Sequence, residues 1–238
     1  MMQSINSSKG RALAYIAILA AGAALRFVDL GRESFWHDEA WSWWLASKPG
    51  SELIQTLRDA DGHPPLYYLL LSGWLEWGDS EAWLRALSAF FGFLTLPLVA
   101  RLAGRLGGRG AGYVAMASLA LCPAHVWFSR ETRSYALLVF EVALLLTLLV
   151  ELRAGRSKGW WIAVAFTLAS ILYTHYMGTL LVLAAALMSL LWSRTTSGFG
   201  RPALGAFVGA ALLFSPWIPA AWLHLFRVGG ASGSSPPR

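Results

Sequence analysis

The sequence predicts an all-α polytopic membrane bundle of about seven transmembrane helices, and three observations carry that prediction. Of 238 residues, 56% are hydrophobic and only 13% charged, about half the charge of a soluble domain. Mean hydropathy is +0.51. The apolar residues fall in runs near the roughly 20 residues that cross about 30 Å of hydrocarbon. These features exclude a collagen, a disordered tail and an ordinary cytosolic enzyme. Cys122 is the one cysteine, so neither an intrachain disulfide nor a CxxC motif exists.

Spans are expected at residues 11–29, 84–104, 110–128, 135–152, 160–175, 177–193 and 203–226. The first carries Ala21-Gly-Ala23, which resembles a small-residue cleavage site; with six further apolar runs behind it, an uncleaved signal anchor is the expectation. Residues 30–83 are the one long polar stretch, and loops of that length usually carry function. Within it Ser34 is placed to begin a helical turn, and a second short helix is expected at about 50–60, capped by Ser51. Segment 64–77 is apolar but short and opens on Pro64-Pro65, which suits an interfacial, re-entrant or buried helix better than a span. Tyr173–Gly178 must turn the chain between two spans. Residues 1–228 then form a single module, with a flexible Gly/Ser/Pro tail at 229–238.

Charge sets the expected orientation. Lys9/Arg11, Arg101/Arg105/Arg109, Arg153/Arg156/Lys158 and Arg194/Arg201 all fall on one side if seven spans are counted, and short basic connections are cytoplasmic. The net charge of +6 therefore reports topology rather than nucleic-acid binding. Every carboxylate except Glu141 and Glu151 falls on the other, outer side, so the chemistry is expected there. The alanine-, leucine- and arginine-rich composition suits a bacterial inner membrane, with the active site facing the periplasm or exterior.

Two outer constellations stand out. In the first, Trp36, Trp41, Trp43 and Trp44 crowd around Asp38 and Glu39. This reads either as an interfacial helix with acids at its positive end or as a catalytic carboxylate that takes a proton or helps hold a divalent cation. His63 precedes Pro64-Pro65. The second constellation, Ser129-Arg-Glu-Thr-Arg-Ser-Tyr135, puts Arg130, Glu131, Arg133 and Tyr135 at a helix start. Guanidinium groups match phosphate oxygens, and Arg26, Arg85, Arg130 and Arg133 share that depth, which suits an anionic lipid headgroup. Glu141, two turns deeper, is either hydrogen-bonded between helices or lines a water-filled cavity.

The motifs resemble those of the GT-C membrane glycosyltransferases, in the protein O-mannosyltransferase-like and aminoarabinose-transferase-like branch. In order these are Ala24-Leu-Arg-Phe-Val-Asp-Leu-Gly31, Phe35-Trp-His-Asp-Glu-Ala-Trp41, Gly62-His-Pro-Pro-Leu-Tyr-Tyr68, Leu84-Arg-Ala-Leu-Ser-Ala89, Phe128-Ser-Arg-Glu-Thr-Arg-Ser-Tyr135 and Tyr173-Thr-His-Tyr176. The resemblance implies transfer of a sugar, with inversion, from a polyprenyl-phosphate carrier to a protein, lipid or glycan acceptor. It implies Asp38 as base, Glu39 as its partner or a cation ligand, and Arg85 near the lipid phosphate. His63, Glu131, Arg133, Tyr135 and His175 would bind substrate, and Asp38 with Glu131 would hold any Mg or Mn ion. Members of the family are usually longer, so a fragment, a subunit needing a partner and a silent remnant are alternatives, as is a transporter- or flippase-like lipid-phosphate binder.

Overall fold

The computed structural model describes residues 2–59, 61–155 and 159–227. The expected tail at 229–238 and the basic pair Arg156 and Lys158 lie outside the described residues. Among the described residues every regular element is a helix: α1 (Met2–Phe27), α2 (His37–Ala46), α3 (Gly50–Asp59), α4 (Leu66–Leu75), α5 (Glu81–Ala120), α6 (Pro123–Ser129), α7 (Tyr135–Arg153), α8 (Trp160–Thr174), α9 (Gly178–Thr195), α10 (Gly200–Phe214) and, after a 3-10 turn at Ser215–Trp217, α11 (Ile218–Arg227).

The 40-residue α5 is a folded pair of arms. Gly108 sits at φ +83°, where a side chain is strained and glycine is not, and the chain doubles back there. Gly112 approaches Ala100 and Gly104 so closely that a Cβ on it would meet the Ala100 carbonyl oxygen at 2.6 Å. The second arm ends at Ala120 and Pro123 opens α6, since proline lacks an N–H and belongs at a helix start. The single span expected at 110–128 is therefore two helices. The same correction applies to 203–226, divided at Ser215–Trp217 around Pro216.

Among the described residues five helices are long and apolar enough to cross a membrane: Lys9–Phe27, Glu81–Ala120, Tyr135–Arg153, Gly178–Thr195 and Gly200–His224. With the two arms of α5 taken separately and the shorter apolar α8 added, helices occupy all seven expected places. The central packing joins α7, α8 and α10 through Leu145, Leu149, Val164, Leu168, Ala206 and Ala210. Leu183, Leu187, Leu190 and Leu212 stay exposed on the periphery, as a lipid-facing surface requires.

Glu141 is hydrogen-bonded between helices, by Ser170 and by Thr174 at 3.0 Å, both from α8. Both bonds go to Oε1, and Oε2 is buried with no hydrogen-bond partner among the described residues. Near the Gly108 bend the buried Glu151 receives Arg101 at 2.8 Å and Arg105 at 3.0 Å, tying α7 to α5.

The polar stretch folds over the opposite end. α2 begins at His37 rather than at Ser34, because Trp36 is extended (φ −83°, ψ 171°) and Glu39 reaches back to accept its N–H at 3.4 Å. α3 forms where expected but starts at Gly50, so Ser51 lies inside its first turn rather than at its cap, and the Leu53 N–H donates to the Pro49 carbonyl instead; the helix buries Leu53 and Leu57 against Leu45, Tyr67 and Leu71. Segment 64–77 forms the ten-residue α4, whose Tyr67, Tyr68 and Leu71 are buried, so it packs inside the cap.

Candidate active site

The cap is fastened by one ion pair. Glu39 is 1% exposed and receives Arg85 at two points, Nε to Oε1 at 2.8 Å and Nη2 to Oε2 at 2.6 Å. The Thr132 N–H donates to the same Oε1 at 2.9 Å. Arg85 also donates to the carbonyls of Leu30, Glu33 and Ser34. All five guanidinium N–H groups therefore have protein acceptors. A role for Arg85 on a lipid phosphate, or for Glu39 as base or cation ligand, would require this network to open. Their geometry is that of a clamp holding residues 30–39 against α5 and the α6–α7 connection.

Two more of the expected phosphate arginines are engaged elsewhere. Arg26 is fully buried and donates to the carbonyls of Leu119 and Ala120 at the end of α5 and to Gly22, with Nη2 2.8 Å from His125 Nδ1. Arg130 donates to Leu25, Val28 and Asp29 at the end of α1. Each arginine satisfies the carbonyls left open at another helix's C-terminus, where positive charge is favoured. Sequence reasoning read them as ligand-facing because their partners are about a hundred residues away.

Arg133 differs. It is 5% exposed, has no ion pair among the described residues, and its Nε lacks a hydrogen-bond acceptor. Its partners are the Asp38 carbonyl at 3.5 Å, Ser42 Oγ at 3.4 Å and His63 Nε2 at 3.3 Å. Its hydrogen-bond partners are neutral, and the charges of Asp38 and Glu131 act on it without an ion pair; a buried guanidinium in that position is costly unless an anion completes it. His63 is aimed by Asp61, whose Oδ1 takes both its backbone N–H (2.8 Å) and Nδ1 (2.6 Å). Asp61 also receives the indole N–H of Trp41. Burial pushes the Asp61 carboxyl up, but the His63 and Trp41 hydrogen bonds outweigh it and hold it below the ordinary range. Asp61 was not singled out from sequence; the Asp-Gly-His-Pro-Pro run was its available signal.

Asp38 is half-buried at the start of α2. Its carboxylate accepts no hydrogen bond among the described residues, and its charge acts on both Glu131 and Arg133. Burial, reinforced by Glu39 and Asp38, pushes the Glu131 carboxyl above its usual value. Tyr135 lies under Arg133, 5.8 Å from ring centre to guanidinium carbon, and its ring is 6.0 Å from that of His175. His175 stands 6.1 Å from His63, and burial, then His63 and Arg133, lower its pKa.

Beside these groups opens a pocket of about 720 Å³, lined by Leu30, Arg32, Trp36, Trp127, Glu131 and Tyr135 among others. Aromatic walls with a few charged groups suit a ligand having both apolar and polar faces. Glu39, Arg85, Glu131 and Tyr135 are the expected site residues that line it; Asp38, His63, Arg133 and His175 are not among its lining residues. Among the described residues no three His, Cys, Asp or Glu side chains gather as a metal cage.

A family model described as dolichyl-phosphate-mannose-protein mannosyltransferase matches residues 62–220. The matched region holds His63, Arg85, Glu131, Arg133, Tyr135 and His175; Asp38 and Glu39 precede it. No curated protein matches the chain.

Proposed function

The chain belongs to the dolichyl-phosphate-mannose-protein mannosyltransferase family, and from that premise we propose that it moves a sugar from a polyprenyl-phosphate carrier to an acceptor hydroxyl or amine, with inversion. The observation that carries this reading is the buried Arg133, which has no ion pair and an unsatisfied Nε, beside the unbonded carboxylate of Asp38. Asp38 takes the acceptor's proton as the acceptor oxygen or nitrogen attacks the anomeric carbon. The bond from that carbon to the phosphate oxygen breaks, and the pair of electrons leaves on the phosphate. Arg133 receives the charge that develops there, in a site too dry for water to do so. His63 and Ser42 hold the guanidinium in place, and the 720 Å³ pocket seats acceptor or sugar between aromatic rings.

The family's name makes mannose the first sugar to try. Asp38 and Glu131 would hold a divalent cation, which supplies Lewis-acid stabilisation of phosphate oxygens when bound. The basic groups around the Gly108 bend support a cytoplasmic placement of that end and an exterior-facing site.

The test is transfer from labelled polyprenyl-phosphate mannose by the purified chain in lipid vesicles. Asp38→Asn is expected to lower turnover roughly 10²–10⁴-fold with donor binding retained, and Arg133→Gln to weaken donor binding. Normal transfer by Asp38→Asn would overturn the base assignment. Absence of both turnover and donor binding in the wild type would overturn the reading as a whole.

A further inference from the structure

We propose that Glu141 is a positioning residue, which acts through the last turn of α8 to hold the His175 Nε2–H for the phosphate of the sugar donor; the inference rests on the transfer reaction proposed above. Glu141 is 3% exposed and takes no part in that reaction itself. Its Oε1 receives the hydroxyls of Ser170 and of Thr174, the latter at 3.0 Å, while its Oε2 is buried without a partner among the described residues. A hydroxyl inside a helix ordinarily turns to the carbonyl four residues back. Thr147 and Thr167 do so, donating to Ala143 and Ala163 at 2.8 Å. Ser170 and Thr174 reach across to α7 instead, so the carboxylate clasps the end of α8. A buried carboxylate with an unsatisfied oxygen costs stability, and an ionisable group held inside a membrane bundle at that cost points to a function.

The clasp lies where it fixes the site. On α7, Glu141 stands less than two turns, about 9 Å, from Tyr135. On α8, Thr174 directly precedes His175, where the chain becomes extended (φ −160°, ψ 138°). The rings of Tyr135 and His175 are 6.0 Å apart, so joining the two helices at Glu141 sets that spacing. The turn after α8 is held from its other side as well. A Cβ on Gly178 would meet the Ile171 carbonyl oxygen at 2.7 Å. The Tyr176 hydroxyl accepts from Trp217 Nε1 at 3.2 Å and lies 2.7 Å from His224 Nδ1. Burial, then the nearby His63 and Arg133, favour a neutral His175 ring. Its Nδ1 accepts the Met177 N–H at 3.1 Å, so the one ring proton sits on Nε2. That N–H has no hydrogen-bond partner among the described residues. It is a fixed donor beside Arg133, suited to a phosphate oxygen.

The test sets transfer from labelled polyprenyl-phosphate mannose in lipid vesicles beside thermal unfolding in detergent. Glu141→Leu is expected to lower kcat/KM roughly tenfold or more, the effect of losing a hydrogen bond to a charged group. It should unfold no lower than the wild type, because the freed hydroxyls turn to their own helix. Glu141→Gln keeps the acceptor and should recover most of the rate. His175→Ala should match Glu141→Leu, and the double variant should lose no more than either alone. Losses that multiply in the double variant, a normal rate in Glu141→Leu or His175→Ala, or a rate that falls only in step with stability would overturn the proposal. Wild-type transfer that Asp38→Asn abolishes and His175→Ala leaves intact would remove this inference alone and leave the transfer reaction standing. A wild type with neither transfer nor donor binding would remove both.

Discussion

Nη2 of Arg133 lies 3.3 Å from Nε2 of His63, and because a guanidinium only donates, that ring nitrogen is the acceptor. The Nδ1 proton then points at Asp61, 2.6 Å away. Asp61, His63 and Arg133 thus form one chain of hydrogen bonds whose last member faces the proposed phosphate.

Removing the middle of that chain should loosen Arg133 without unfolding the cap. His63→Ala is expected to weaken binding of polyprenyl-phosphate mannose roughly 10-fold or more, the worth of a hydrogen bond to a charged group. His63→Gln keeps an acceptor and should recover part of the loss. Equal affinity of His63→Ala and wild type in a donor-binding titration would show that Arg133 needs no positioning.

Glu39 and Arg85 should behave as a buried pair. Glu39→Gln leaves Arg85 buried without its counter-charge and is expected to cost about 3–5 kcal/mol. The double variant Glu39→Leu/Arg85→Met should recover most of that loss, since apolar replacements of a buried pair are often close to neutral. Thermal unfolding of the three proteins in detergent distinguishes this clamp from a pair that matters only to the reaction.

Asp61→Asn should destabilise most at neutral pH. The Asp61 carboxyl titrates below the ordinary range, so the stability it contributes is present above that range and lost as pH falls through its folded value. The expected difference at pH 7 is about 2 kcal/mol, closing in acid. A gap independent of pH would show that Asp61 contributes by shape rather than by charge.

Glu131 has the opposite sign. Its carboxyl is raised by burial and by Glu39 and Asp38, so the fold is most favourable below the ordinary glutamate range and loses stability as pH rises through the folded value. Glu131→Gln never ionises and is expected to unfold at a higher temperature than the wild type at pH 7.5, with a smaller advantage near pH 4.5. Lower transfer by the same variant would mark a group whose charge is kept for function at a cost in stability.

The bend in α5 offers a control on backbone contact. Gly112→Ala drives a methyl into the Ala100 carbonyl and should cost roughly 1–3 kcal/mol. Gly110→Ala meets nothing within 4 Å and should stabilise by about 0.4–1 kcal/mol. Thermal unfolding that moved both variants in one direction would argue against the folded-back arms.

The helices were legible because their signals are local. Apolar run length gave seven segments, Pro49-Gly50 gave the start of α3 although Ser51 is not its cap, and Pro64-Pro65 with a short apolar run gave α4. Pro123 and Pro216 carried the two unforeseen breaks, but a proline within a long apolar run is also compatible with a kink. The arginines were the hard part. Arg26, Arg85, Arg130 and Arg133 look alike in sequence, each beside an apolar helix. What separates them is whether helix-end carbonyls or a carboxylate arrive from far along the chain, and that is decided only by packing.

The third ligand of Glu39 also imposes an order of events. Arg85 follows it by 46 residues and the Thr132 N–H by 93. At about 5–20 residues per second, the carboxylate waits roughly 5–20 s between its own synthesis and the arrival of the last group that satisfies it. Throughout that interval α2 carries a charge that the finished protein hides completely. The nascent chain must keep this segment in water, or lend it a temporary partner, until the α6–α7 connection has emerged.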